Sequence, residues 1–136
     1  MTFSHVGLTC LDQEKMERFY CRHFGFKRTA VFPATHGPIL MLRAGDVFLE
    51  LFAASGESPL PPPEKDGYPF KGFRHLCFTV GSIEKALADL GDDVRITMGP
   101  LELDRFIPGM KAVWIADPEG NIIELCEGAH YENREF

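Results

Sequence analysis

An internal repeat restricts the architecture of this chain more than any other feature. Ser4-His5-Val6-Gly7-Leu8-Thr9 matches Arg74-His75-Leu76-Cys77-Phe78-Thr79 at an offset of 70 residues, and Glu14-Lys15 falls on Glu84-Lys85 at the same offset. Further on, Val47-Phe48-Leu49-Glu50-Leu51 matches Asn121-Ile122-Ile123-Glu124-Leu125 at an offset of 74. A few inserted residues account for the drift. Each half reads histidine, then a helix, then a strand carrying glutamate, with 45 residues from His5 to Glu50 and 49 from His75 to Glu124. A chain of 136 residues built this way is a single domain of two fused modules. A module of about 60 residues is marginal alone, so the two halves, or two chains, are expected to share a core.

Residues 3–10 and 73–80 are β-branched and aromatic runs of strand length. Asp12 is a plausible N-cap for a helix in which Met16, Phe19, Tyr20, His23 and Phe24 recur on one stripe, with Gly25 as its stop. In the second half Ser82 caps, Ile83, Ala86, Leu87 and Leu90 form the stripe, and Gly91 ends it. Residues 39–44 and 47–52 read as a hairpin around Gly45-Asp46, and residues 112–116 and 121–126 as another around Asp117-Pro118-Glu119-Gly120. One more strand per half is expected at residues 27–32 and 93–98. The expected fold is α+β, two tandem βαβββ modules at about residues 3–54 and 73–127. The proline-rich stretch 55–72 joins them and 128–136 forms a C-terminal tail. The charges of residues 12–22 are read as a solvated helix face.

Strand alternation places the repeated residues. Val6, Leu8 and Cys10 oppose His5, Gly7 and Thr9, and Leu76, Phe78 and Val80 oppose His75, Cys77 and Thr79. The apolar sets suit packing under the helices, which leaves the histidines on the open face. Glu50 lies between Phe48 and Phe52, and Glu124 between Ile122 and Cys126, in strands that otherwise read as core. An ionised carboxylate there is expensive unless paired or metal-bound. Two imidazoles and two carboxylates suit a borderline divalent ion such as Ni²⁺, Zn²⁺, Co²⁺ or Fe²⁺, with positions left for water. A single strand histidine is more often a satisfied or surface residue. The repeat changes those odds by placing equivalent residues twice. His23, His36 and His130 have no counterpart and are read as surface or helix-face residues. Phe48, Phe52, Met110 and Trp114 are candidate walls of an apolar substrate pocket, against the plain reading of core aromatics.

Composition excludes several functions. The formal charge of −6 disfavours nucleic acid and anionic membrane surfaces as partners. No run approaches the roughly 20 apolar residues that span a bilayer, and residues 1–10 lack the pattern of a signal peptide. Four dispersed cysteines, Cys10, Cys21, Cys77 and Cys126, without a C-x-x-C pair, fit buried free thiols in a reducing cytoplasm.

On these residues the chain resembles the vicinal oxygen chelate superfamily, the glyoxalase I, bleomycin-resistance and extradiol-dioxygenase group. The resemblance covers residues 3–127. It rests on His5 with Phe19-Tyr20 and Phe24-Gly25-Phe26, on Phe73-Arg74-His75-Leu76, and on Asp117-Pro118-Glu119-Gly120-Asn121-Ile122-Ile123-Glu124-Leu125. It implies mixed sheets curled into a cleft around one divalent metal (Ni or Zn first, then Co, Mn or Fe) held by His5, Glu50, His75 and Glu124. It also implies a homodimer acting on a small-molecule substrate, with the four ligands drawn from one chain or from two. Glutamate at the Glu50 position resembles bacterial glyoxalase I, whereas the thiol transferases and extradiol dioxygenases of the group use two histidines and one glutamate. Methylmalonyl-CoA epimerase has glutamine at that position, and drug-sequestering members lack the ligands. Thr9 stands where glyoxalase I carries a glutathione-contacting arginine, and residues 99–111 lack its glycine-rich loop, which leaves the substrate open. The expected chemistry is a metal-assisted proton shift, as in an isomerase, epimerase or lyase. Glu124 is the first candidate for the base and Glu50 the second. An iron-dependent dioxygenase and a non-catalytic drug-binding protein are the alternatives.

Overall fold

In the computed structural model, which describes residues 1–131, the chain divides into two compact units, Met1–Pro61 and Pro62–Phe136. Part of the expected tail, residues 132–136, lies outside the described residues. The first unit runs β1 (His5–Cys10), α1 (Gln13–His23), β2 (Lys27–Phe32), β3 (Ile39–Ala44) and β4 (Val47–Ala53). The second runs β5 (Leu76–Thr79), α2 (Ile83–Leu90), β6 (Arg95–Glu102), β7 (Lys111–Ala116) and β8 (Ile122–Glu127), with a 3₁₀ turn at Gly91–Asp93. Each unit is therefore βαβββ. The sheets have equivalent orders, β1-β4-β3-β2 and β5-β8-β7-β6, and in each the first strand pairs parallel with the last.

The helices form where the sequence provides both ends. Asp12 Oδ1 accepts from Lys15 N at 2.9 Å, and Ser82 Oγ accepts from Lys85 N at 3.1 Å. Each bond satisfies one of the amides that a helix start leaves without a partner. Met16, Phe19 and Tyr20 are buried along α1, each contributing roughly 1.5–3 kcal/mol through its burial. α1 packs on β4, and α2 on β7 and β8. The opposite face of β7 and β8 is closed by its own cluster, in which Ile107 and Met110 pack with Ala112, Trp114, Ala116, Ile122 and Cys126. Among the described residues no helix is long and apolar enough to cross a membrane.

Three details differ from the sequence reading. Strand β6 begins at Arg95 and continues to Glu102, because two register irregularities carry pairing with β7 through Gly99 and Pro100. Strand β5 is shorter and starts just after His75. Finally, the α1 face is not uniformly solvated: Glu17 is held by the Arg28 guanidinium, whose Nε donates to Oε1 at 2.6 Å.

Candidate functional site

Pleating and register bring each repeated histidine to its own glutamate. In the first unit β1 pairs Gly7 with Glu50, His5 with Phe48 and Thr9 with Phe52. These six residues therefore share one sheet face, as alternation predicts. His5 Nε2 lies 2.9 Å from Glu50 Oε2, and Ser4 Oγ lies 2.9 Å from His5 Nδ1. In the second unit His75 Nε2 lies 2.6 Å from Glu124 Oε2. The Glu124 side chain is 12% exposed and that of Glu50 18%, so each carboxylate is drawn largely out of water and needs its polar neighbours, the histidine first among them.

The second pair is the more elaborate. The His75 Nδ1 atom stands 2.6 Å from the Asp66 carbonyl. A carbonyl only accepts, so Nδ1 carries the hydrogen and Nε2 is the nitrogen turned to Glu124. Asp66 is itself fixed, since Arg74 Nε and Nη2 donate to its carboxylate at 2.8 and 3.1 Å. The guanidinium holds the Asp66 carboxyl below its usual range. Gly67 makes the close approach possible: its φ is +126°, and a Cβ there would meet the Arg74 carbonyl oxygen at 2.1 Å. Asp66 is the orienting partner that the sequence reading did not name. Its only signal was a place in the proline-rich stretch ahead of His75.

Cysteine placement also departs from expectation. Cys10 and Cys126 are buried, whereas Cys77 is exposed and Cys21 half-buried. All four are free thiols. Cys77 and Cys126, distant in sequence, sit with their sulfurs 3.3 Å apart, and the Cys126 thiol donates to Glu124 Oε1 at 2.9 Å. Burial, then the bond to Glu124, pushes the Cys126 thiol well above its ordinary value, and burial also raises Cys77.

The four candidate pocket residues divide between the units. Phe48 and Phe52 flank Glu50, and Phe52 also borders a cavity of about 350 Å³ with His36 and Ile39. Met110 and Trp114 belong to the buried cluster of the second unit, where Trp114 pairs with Glu124 across β7 and β8. The Trp114 ring centroid is 6.4 Å from that of His75, and its buried Nε1 has no hydrogen-bond partner among the described residues. His23 stacks edge-on against Phe19, and His36 and His130 are exposed.

Within each unit one imidazole nitrogen and one carboxylate oxygen, donor types that suit a borderline divalent ion, meet at hydrogen-bond distance, and the Asp66 carbonyl fixes the His75 ring.

Comparison with known proteins agrees with this fold. Residues 2–125 match the family model of the Glyoxalase/Bleomycin resistance protein/Dioxygenase superfamily. The chain is 30% identical over 129 residues to the uncharacterized protein YwkD of Bacillus subtilis (strain 168), covering 90% of this chain and 94% of that one. Among solved structures, SMU.1112c matches with a TM-score of 0.70 and 29% identity, covering 93% of this chain and 98% of that one. The glyoxalase family protein from Enterococcus faecalis matches with a TM-score of 0.65 and 28% identity, covering 90% and 93%. With its twice-repeated βαβββ unit and a histidine–glutamate pair on each sheet, the chain belongs to the glyoxalase/bleomycin-resistance/dioxygenase superfamily.

Proposed function

We propose that this chain is a glyoxalase I-like metalloenzyme that catalyses a proton shift on a small hydroxy-carbonyl or thiohemiacetal substrate. The observation that carries the reading is the Nε2-to-Oε2 pairing of histidine and glutamate in equivalent register in both units. His5, Glu50, His75 and Glu124 would hold one divalent ion, with Ni²⁺ or Zn²⁺ the best match to two nitrogens and two oxygens. When bound, such an ion supplies Lewis acidity to a carbonyl and to the negative charge that builds beside it, a contribution of several kcal/mol.

The chain's own groups do the rest. Glu124 takes the proton alpha to the carbonyl at a carboxylate oxygen and returns it to the neighbouring carbon, which requires an approach of about 3 Å. Glu50 is the second candidate for this role. Asp66, through its carbonyl, fixes the ring of His75. Phe48, Phe52 and Met110 provide apolar walls. Trp114, packed beside Met110, adds to them. The proposed working form is a cytoplasmic homodimer.

The test combines metal analysis with solvent-exchange kinetics. Incubation with the hemithioacetal of methylglyoxal and glutathione, or with α-hydroxy-carbonyl compounds, in deuterated water should incorporate deuterium at the reacting carbon, as read by NMR. Glu124→Gln should lower turnover by at least about a hundredfold while retaining much of the metal, whereas His75→Ala should lose the metal. Iron-dependent oxygen consumption without proton exchange would overturn the proposal, and unchanged turnover in Glu124→Gln would refute the base assignment.

A further inference from the structure

The two halves differ beside their common histidine–glutamate pair. Where the second unit has Cys77 and Cys126, the equivalent repeat positions of the first hold Gly7 and Phe52. There the Phe52 ring covers the glycine: a Cβ on Gly7 would lie 3.3 Å from Phe52 Cε2. The second unit thus places two thiols where the first has hydrocarbon. Cys77 is in register with Glu124, and Cys126 stands two residues further along the same strand and face. The two sulfurs are 3.3 Å apart and Cys126 Sγ is 2.9 Å from Glu124 Oε1. Both sulfurs and a Glu124 carboxylate oxygen all lie within 4.8 Å of one another. The Tyr131 hydroxyl approaches Cys126 Sγ at 3.8 Å.

We infer that Cys77, Cys126 and Glu124 form a second cation site, built wholly within the second unit, that takes a thiophilic d¹⁰ ion such as Zn²⁺, Cd²⁺ or Cu⁺. Two sulfurs with one oxygen form a soft donor set, unsuited to Mg²⁺, Ca²⁺ or Mn²⁺. Metal–sulfur bonds of about 2.3 Å in a tetrahedron hold two sulfurs about 3.8 Å apart. The 3.3 Å contact opens that far by small rotations of the two side chains. Binding releases the two thiol protons to solvent and moves no electrons. The exposed Cys77 gives the ion its entry, and the fourth position is left to water or an external ligand. Glu124 belongs to both sets, with Oε2 toward His75 and Oε1 toward Cys126. His5 and Glu50 belong only to the site of the proposed enzyme.

That division makes the two readings separable. The metal-free full chain, kept reduced with a phosphine, is titrated with Cd²⁺ while the ultraviolet sulfur-to-cadmium charge-transfer band is followed. The expected result is a band of two-sulfur intensity, corresponding to one thiolate-bound ion per chain at saturation. Cys77→Ser should halve the band and weaken binding at least about tenfold, and a Cys10→Ser/Cys21→Ser double variant should leave it unchanged. Cys126→Ser should act like Cys77→Ser. Because Cys126 is fully buried, the exposed Cys77 variant decides the matter if that chain misfolds. The band should also persist in a His5→Ala/Glu50→Gln chain, which disables the enzyme site alone. Absence of the band, or its survival unchanged in Cys77→Ser, overturns the inference without touching the proposed enzyme activity.

Discussion

His75 is engaged at both ring nitrogens, and its orientation depends on a residue with no chemistry of its own in the site. The Asp66 carbonyl accepts from Nδ1 at 2.6 Å, and the Asp66 carboxylate is clamped by Arg74. Exposed ion pairs contribute little to stability, and the Arg74 side chain is half exposed. The clamp therefore acts on orientation more than on folding. Asp66→Ala keeps the carbonyl but removes the clamp that holds it in place, so it should lower the affinity for a divalent ion by up to about tenfold, the lower end of the range for disturbing an orienting partner, while shifting the melting temperature little. Gly67→Ala is a different perturbation. It strains a φ of +126° and drives a Cβ into the Arg74 carbonyl, so both affinity and melting temperature should fall. Isothermal titration with Ni²⁺ beside scanning calorimetry separates the two. Equal thermal losses in both variants would refute the distinction.

At the scale of elements, the β7–β8 turn sets where Glu124 stands. Asp117 is 5% exposed, a buried carboxylate on a turn. Its oxygens accept from Glu119 N at 2.9 Å, Asn121 N at 3.0 Å and Asn121 Nδ2 at 2.8 Å. Removing the acceptor strands buried donors, so Asp117→Ala should cost about 2–3 kcal/mol, measurable by urea unfolding; a loss below 0.5 kcal/mol would show that the turn closes without it. This element was legible in the sequence because turn chemistry is local: Asp117-Pro118-Glu119-Gly120 announces itself. The helix caps Asp12 and Ser82 were legible for the same reason, and the faces of His5 and Glu50 followed from a period of two. What escaped was non-local. Nothing in the spacing of Cys77 and Cys126 discloses a 3.3 Å contact, because that depends on the parallel register of β5 and β8. The role of Asp66 escaped too, since its carbonyl is a backbone group that residue type does not mark. Strand β6 outran its expected end because pairing with β7 resumes beyond an irregularity at a proline, where local propensity reads a break.

At the scale of the whole molecule, the repeat turns the four-ligand proposal into a statement about stability. An ion that binds only the folded chain stabilises it by about 2.7 kcal/mol at a free concentration a hundredfold above its dissociation constant. For a chain of this length that is a melting shift of about 10 °C. Chelator treatment should abolish the shift, and readdition of Ni²⁺ should restore it. If histidines of both units ligate the same ion, His5→Ala and His75→Ala are equivalent perturbations despite the 70 residues between them. Each should weaken binding by roughly a hundredfold, which at the same Ni²⁺ concentration leaves about 0.4 kcal/mol and a shift of only 1–2 °C. A His5→Ala chain that keeps the full shift while His75→Ala loses it would assign the ion to the second unit alone. The paired geometry of His5 and Glu50 would then be a hydrogen bond without a metal, and the enzyme reading would fail on the half of the repeat that carries it.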